Sequence, residues 1–135
     1  MIKILIVEDG IFDFESLCDI LDNGEYEITH AENLDEAKIL IENNVFDVSI
    51  IDIGLDERDK GNIDGFILAD YIINELKLEL PILMYTSNYG NELEGITYLK
   101  RAIEIGIPKS NFKNKADFST PEIVLAALNN VLNKI

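Results

Sequence analysis

Short apolar runs alternate with helix-spaced apolar positions along this chain. Ile2 to Val7 predicts a continuous buried strand, and Phe14, Leu17, Cys18 and Leu21 recur on one face of a helix from about Phe12 to Asp22, stopped by Asn23-Gly24. Tyr26 to His30 alternates as a second strand. Asn33, with Glu36 three positions on, is a capping box for a helix carrying Ala37, Leu40 and Ile41, and Asn43-Asn44 ends it. Phe46 to Ile51 predicts a third strand, followed by a polar loop with Gly54, Gly61 and Gly65 and a helix whose stripe is Phe66, Ala69, Ile72, Ile73 and Leu76. Pro81 opens a fourth strand, Ile82 to Tyr85. A polar loop through Asn88, Tyr89, Gly90 and Asn91 leads to a helix bearing Ile96, Leu99, Ala102 and Ile103, closed by Gly106. A short fifth strand lies at Asn111 to Asn114, and Thr120-Pro121 opens a last helix with Ile123, Val124, Ala127, Leu128, Val131 and Leu132.

Strands and helices in strict alternation predict an α/β fold, a doubly wound five-stranded parallel sheet. The strand order 2-1-3-4-5, flavodoxin-like, accommodates right-handed crossovers throughout. With no repeat, linker or low-complexity segment, residues 1–135 are expected to form one domain.

Lys plus Arg number 11 against 26 Asp plus Glu, a formal net charge of -15. Such a chain repels a phosphate backbone and anionic headgroups, so no direct nucleic-acid or membrane partner is expected. A hydrophobic fraction of 47% supplies the burial that a disordered acidic chain lacks. The one cysteine, Cys18, excludes an intrachain disulfide and falls in a helical stripe, where a buried inert thiol is expected. Neither a signal-peptide core nor a membrane-length apolar run is present, and a cytoplasmic location fits. The basic residues are unevenly placed: Lys100, Arg101, Lys109, Lys113 and Lys115 are five of the 11.

In an open parallel sheet the strand C-termini gather along one edge. Glu8-Asp9 follows the first strand, Asp52 the third, Thr86 the fourth, and lysines lie at the end of the fifth. Crowded carboxylates call for a compensating cation, and a divalent metal with an incoming anionic group supplies one. Phosphoryl transfer onto Asp52 uses all five groups. Each residue alone has a simpler reading, as a solvated loop acid, a turn cap or, for Phe112, core filler. Their order at successive strand ends argues against coincidence.

In these ordered residues the chain resembles a response-regulator receiver domain of two-component signalling over essentially its whole length. The resemblance implies Asp52 as phosphoryl acceptor, Glu8 and Asp9 as the acidic pair that holds Mg²⁺ with Asp52, and Gly54 as a ligand through its backbone carbonyl. It implies Thr86 as the switch hydroxyl, Phe112 as the aromatic that fills the space Thr86 leaves, and a site lysine. The family spacing of aromatic, two residues, then lysine favours Lys115 over Lys113. Strand alternation places both on one side and does not separate them. Asp64-Gly65 also resembles the family's turn before the third helix. Ala116 stands where proline is frequent, and the loops 52–65 and 86–106 are longer than in compact members.

The resemblance further implies a histidine kinase or phosphotransfer protein as donor, a downstream effector protein as recipient, and intrinsic autophosphorylation and slow hydrolysis in place of ordinary enzyme turnover. The alternatives are a receiver-like interaction module that does not cycle and a flavodoxin-type electron carrier. The latter needs a phosphate-cradling loop where this chain has Glu8-Asp9-Gly10. A calcium-loop reading of Asp56 to Gly65 fails on Arg58 and Lys60 at ligand positions. His30, at the end of the second strand, is expected to be a surface or packing residue away from the acids. The chain is expected to be either a stand-alone receiver or a segment of a longer regulator or hybrid kinase.

Overall fold

The computed structural model describes residues 1–56, 58–59, 61–87 and 92–133, with backbone alone at 92–96 and 119. The predicted loop at 88–91, the side chain of Ile96, Lys60 and the terminal Ile135 therefore lie outside the described residues.

Five parallel strands run in the order β2-β1-β3-β4-β5: β1 is Ile2–Val7, β2 Tyr26–Ala31, β3 Val48–Asp52, β4 Ile82–Thr86 and β5 Phe112–Asn114. The helices between them are α1 (Ile11–Leu21), α2 (Leu34–Asn43), α3 (Asp64–Asp70) and α4 (Glu92–Ile105), with α5 (Pro121–Leu132) last. This is the doubly wound order expected from the pattern.

Alternation along the strands divides the core. Leu5, Val7, Ile51, Met84 and Phe112 face α2, α3 and α4, packing with Ala37, Ile41, Phe66, Ala69 and Ala102. Ile4, Ile6, Ile50, Leu83 and Tyr85 face α1 and α5, packing with Leu17, Leu21, Val124 and Leu128. With a period of two, Glu8 and Asp52 fall on the α1/α5 side with Tyr85, and Thr86 falls on the α4 side with Phe112. Tyr85 is the register partner of Asp52, and Met84 that of Phe112.

Local signals set the connections. Asn33 accepts from the backbone N–H of Glu36 at 2.9 Å, while the Glu36 carboxylate reaches back to the N–H of Glu32 at 3.2 Å, so the capping box forms with its return bond shifted by one residue. Gly106, at φ +121, turns the chain out of α4 in a conformation open to glycine.

Several expectations need correction. The third-helix stripe does not lie on one regular helix: α3 ends at Asp70, and Tyr71–Glu75 form a π turn in which the Leu76 N–H donates to the Tyr71 carbonyl at 2.8 Å. Ile72 stays buried, whereas Ile73 and Leu76 only pack against the rim of the core. Ile103 and Ile123, assigned to buried stripes, are exposed on their helices. Cys18 is half-buried where a buried thiol was expected; burial and then the charges of Asp19 and Glu15 push its thiol up, which disfavours the thiolate. β3 begins at Val48, two residues after the predicted start, although Phe46 still packs on the core.

Candidate functional site

The C-terminal ends of β1, β3, β4 and β5 surround a cavity of about 570 Å³ lined by Asp9, Asp13, Asp52, Gly54, Thr86 and Lys115 among others. Glu8 and Tyr85 do not line it but contact Lys115, which does.

Backbone bonds fix the strand ends. Glu8 N–H donates to Ala31 at 3.0 Å, Ile53 N–H to Tyr85 at 3.1 Å and Lys115 N–H to Thr86 at 3.0 Å. Behind Asp52 the N-terminus of α3 approaches so closely that a Cβ on Gly65 would stand 2.2 Å from the Asp52 carbonyl oxygen and 2.6 Å from Ile53 Cα. Glycine is required there for a steric reason. Asn62 shapes the preceding loop, its Oδ1 accepting from the N–H groups of Leu55 and Asp64, each at 3.0 Å.

One carboxylate oxygen each from Glu8, Asp9 and Asp52 can be chosen so that all lie within 4.8 Å of one another, the one such potential metal-holding group among the described residues. Glu8 is fully buried, and Asp52 is 5% exposed. Glu8 is also well supplied with donors: the Tyr85 hydroxyl and the Lys115 ammonium, the latter at 2.9 Å, reach Oε1, and the Gly10 N–H reaches Oε2 at 3.1 Å. Lys115 Nζ stands 3.1 Å from Asp52 Oδ2 and 2.8 Å from Asp13 Oδ2, and 5.1 Å from the centre of the Tyr85 ring.

The electrostatics follow from this crowding. Burial, then the Glu8 charge and the Glu8–Asp52 hydrogen bond, push the Asp52 carboxyl up to about 8 against the opposing pull of Lys115. Burial acts on Glu8 in the same direction, but the hydrogen bond with Asp52, the charge of Lys115 and the Tyr85 hydroxyl outweigh it and hold Glu8 below its ordinary value. Burial lowers Lys115, yet the charges of Asp52 and Glu8 and the bond to Asp13 raise it overall, so the ammonium keeps its proton. Tyr85 is raised well above the phenol range by burial and then by Glu8.

Hard oxygen donors, two of them buried and one pushed up by burial and the neighbouring Glu8 charge, suit a small divalent cation such as Mg²⁺. Gly54, expected to contribute its carbonyl, borders the cavity. Thr86 is buried and also borders it. Phe112 is 6% exposed and packs in the core on the α4 side beside Met84. Of the two lysines, Lys115 reaches the acids; Lys113 is half-buried within β5, in register with Tyr85.

Two residues join the site without having been expected, Asp13 through Lys115 and Tyr85 through Glu8. His30 packs as expected, its ring stacked on Phe14 at 3.6 Å, but nearer the acidic loop than expected: its Nε2 is 2.7 Å from the Glu8 backbone carbonyl oxygen, which ties β2 and α1 to the loop after β1. An aromatic hydroxyl inside an otherwise apolar buried strand was the available signal for Tyr85, because such a hydroxyl needs a partner. In the loop after β3, Asp56 and Asp59 accept hydrogen bonds from the N–H groups of Arg58 and Gly61, each at 3.0 Å. These carboxylates shape turns within the segment considered as a calcium loop.

The sequence profile of the response regulator receiver domain matches residues 4–116. A search of curated proteins finds no match. Among solved structures, the non-phosphorylated HemR receiver domain of Leptospira biflexa is 29% identical, with 98% of this chain and 94% of that one covered and a TM-score of 0.72. The chemotaxis protein CheY4 of Vibrio cholerae is 25% identical over 98% and 99% of the two chains, at a TM-score of 0.76. A CheY-like receiver domain protein of Methanospirillum hungatei shares the fold at a TM-score of 0.78 and 22% identity, covering 99% of this chain and 95% of that one. By its profile and by the matching strand order, the chain belongs to the response regulator receiver domain family.

Proposed function

We propose that residues 1–135 form a single receiver domain that acts as a phosphorylation-activated switch, with Asp52 accepting a phosphoryl group from a histidine kinase or phosphotransfer protein in the cytoplasm. The observation that carries this reading is the meeting of Asp52 and Lys115, 3.1 Å apart, at the edge of a cavity where three carboxylates crowd together. A carboxylate is a weak nucleophile toward phosphorus unless the phosphoryl charge is balanced and the reacting atoms are aligned.

Asp9, Asp52 and the Gly54 carbonyl would hold Mg²⁺, with Glu8 acting through water because its oxygens already accept from Tyr85, Lys115 and Gly10. When bound, Mg²⁺ supplies charge neutralisation and orientation of the phosphoryl oxygens. An Asp52 oxygen forms the new bond to phosphorus as the donor's N–P bond breaks, and the electron pair stays on the departing imidazole nitrogen. Lys115 donates to a phosphoryl oxygen while keeping its own proton, and the Thr86 hydroxyl supplies a second donor. Movement of Thr86 toward the group opens space for Phe112, and the effector protein reads the change at the α4 and β5 region, where Lys100, Arg101 and Lys109 are exposed. Slow return to the resting state by hydrolysis completes the cycle.

Incubation with acetyl phosphate and Mg²⁺ is expected to add one phosphoryl mass, read on the intact protein, in wild type and none in Asp52→Asn. Chelation of the metal should abolish the gain, and Lys115→Ala should slow it far more than Lys113→Ala. Phosphorylation of Asp52→Asn would move the acceptor elsewhere, and an inert wild type would leave a non-cycling interaction module.

A further inference from the structure

The ammonium of Lys115 has three hydrogens and three carboxylate partners: Asp13 at 2.8 Å, Glu8 at 2.9 Å and Asp52 at 3.1 Å. It has no donor left over, so a new acceptor is met only by releasing an old one. The three partners are not equal. Glu8 is fully buried and fixed by Tyr85 and the Gly10 N–H, and Asp52 is buried. The Asp13 side chain is 49% exposed, on the first turn of α1 at the border of the cavity. Releasing Asp13 returns a carboxylate to water, whereas releasing Glu8 leaves a buried anion short of a donor, and releasing Asp52 before its bond to phosphorus forms takes the cation from the buried acceptor.

We propose that Asp13 holds Lys115 in the resting site and is displaced by the incoming phosphoryl oxygen, so that Asp13 sets how fast Asp52 is phosphorylated and disfavours small dianionic donors. This rests on the reading of Asp52 as acceptor. Asp13 acts through Lys115 and is a positioning residue. Two effects act in the same direction: Asp13 competes for the donor that the phosphoryl oxygen needs, and its charge at the cavity border repels a dianion. A protein donor that brings its own positive or hydrogen-bonding groups to the start of α1 can draw Asp13 away. A small acyl phosphate cannot. Asp13 thus tilts selection toward the protein donor by obstructing its competitors.

In the step itself, an Asp52 oxygen bonds to phosphorus as the bond between phosphorus and the acetyl oxygen breaks. Acetate leaves with the electron pair, and Lys115 exchanges the Asp13 carboxylate for a phosphoryl oxygen without losing a proton.

The test uses the full chain with Mg²⁺ and acetyl phosphate, following phosphoryl mass against time in wild type, Asp13→Asn and Asp13→Glu. Asp13→Asn is expected to raise the second-order rate constant about three- to tenfold, with a weaker dependence on added salt, while Asp13→Glu stays near wild type. Affinity for trifluoroberyllate, a phosphoryl mimic that needs no chemical step, should rise by a similar factor in Asp13→Asn. A merely structural Asp13 would slow the reaction when replaced and would not improve binding of the mimic. If wild type is phosphorylated and Asp13→Asn is unchanged or slower, the role of Asp13 falls alone. If neither protein gains the mass, the reading of Asp52 falls with it.

Discussion

Tyr85 is a phenol among carboxylates. Its hydroxyl donates to Glu8, and its ring meets both Phe118, at 5.7 Å, and the ammonium of Lys115, at 5.1 Å. Burial and the neighbouring acids keep the proton on the hydroxyl, so Tyr85 remains a donor at neutral pH. Tyr85→Phe preserves the shape of the ring and removes one donor from a fully buried carboxylate, which should cost about 1–3 kcal/mol of stability. Urea unfolding of the two proteins measures it; equal midpoints would show that Glu8 finds another donor. At this scale the sequence revealed what lay at strand ends. Glu8, Asp9, Asp52 and Thr86 each follow an apolar run, and parallel topology brings those ends together. Asp13 stayed hidden because an acid in a first helical turn is already explained by the helix dipole. Tyr85 reads as core because it sits in an apolar strand, and the nearness of His30 to Glu8 does not show because alternation within β2 says nothing about which loop lies beside it.

Among the elements, α3 bears most directly on the site, because its first turn is pressed against the end of β3. The Gly65 N–H donates to the Ile53 carbonyl at 2.8 Å, and any Cβ at Gly65 would meet the Asp52 backbone. Gly65→Ala must push α3 away or displace Asp52, at about 1–3 kcal/mol or more for overpacking, with slower phosphoryl uptake as a second readout. Calorimetric melting and the acetyl phosphate reaction check the two effects separately. All five strands and five helices were legible from periodicity, since each strand is a short apolar run and each helix carries a stripe. The π turn after α3 was not. Its widened backbone shifts the facing of Ile73 and Leu76, and a 3.6-residue period cannot register an inserted residue. Exposed Ile103 and Ile123 mark the opposite limit, for an apolar side chain at the border of a stripe can equally face water.

For the whole molecule, the site destabilises the fold that builds it. Asp52 is moved from an ordinary 3.8 up to about 8, so between those values the folded chain binds more protons than the unfolded one, and stability falls as pH rises. Glu8 is lowered, so its contribution is present above its unfolded value of 4.5 and is lost only as the medium becomes more acidic. Lys115, raised above 10.5, loses its contribution only in strong alkali. The urea midpoint in metal-free buffer is therefore expected to fall from about pH 5 to about pH 8. Asp52→Asn should flatten the decline and exceed wild type in stability at the upper end, and Mg²⁺ should narrow that difference. A decline that persists in Asp52→Asn would place its source elsewhere among the 26 acids. The division of the core by strand alternation has a consequence for how such a molecule transmits a signal. Glu8, Asp52 and Tyr85 belong to the layer beneath α1 and α5, whereas Thr86 and Phe112 belong to the layer beneath α4. The sheet separates the two layers, and Asp52 and Thr86 meet at the cavity along its border. On the proposed reading, a message written in one layer is read in the other by passing around that border, so input and output can drift independently as the sequence changes, provided the few residues at the crossing stay in place.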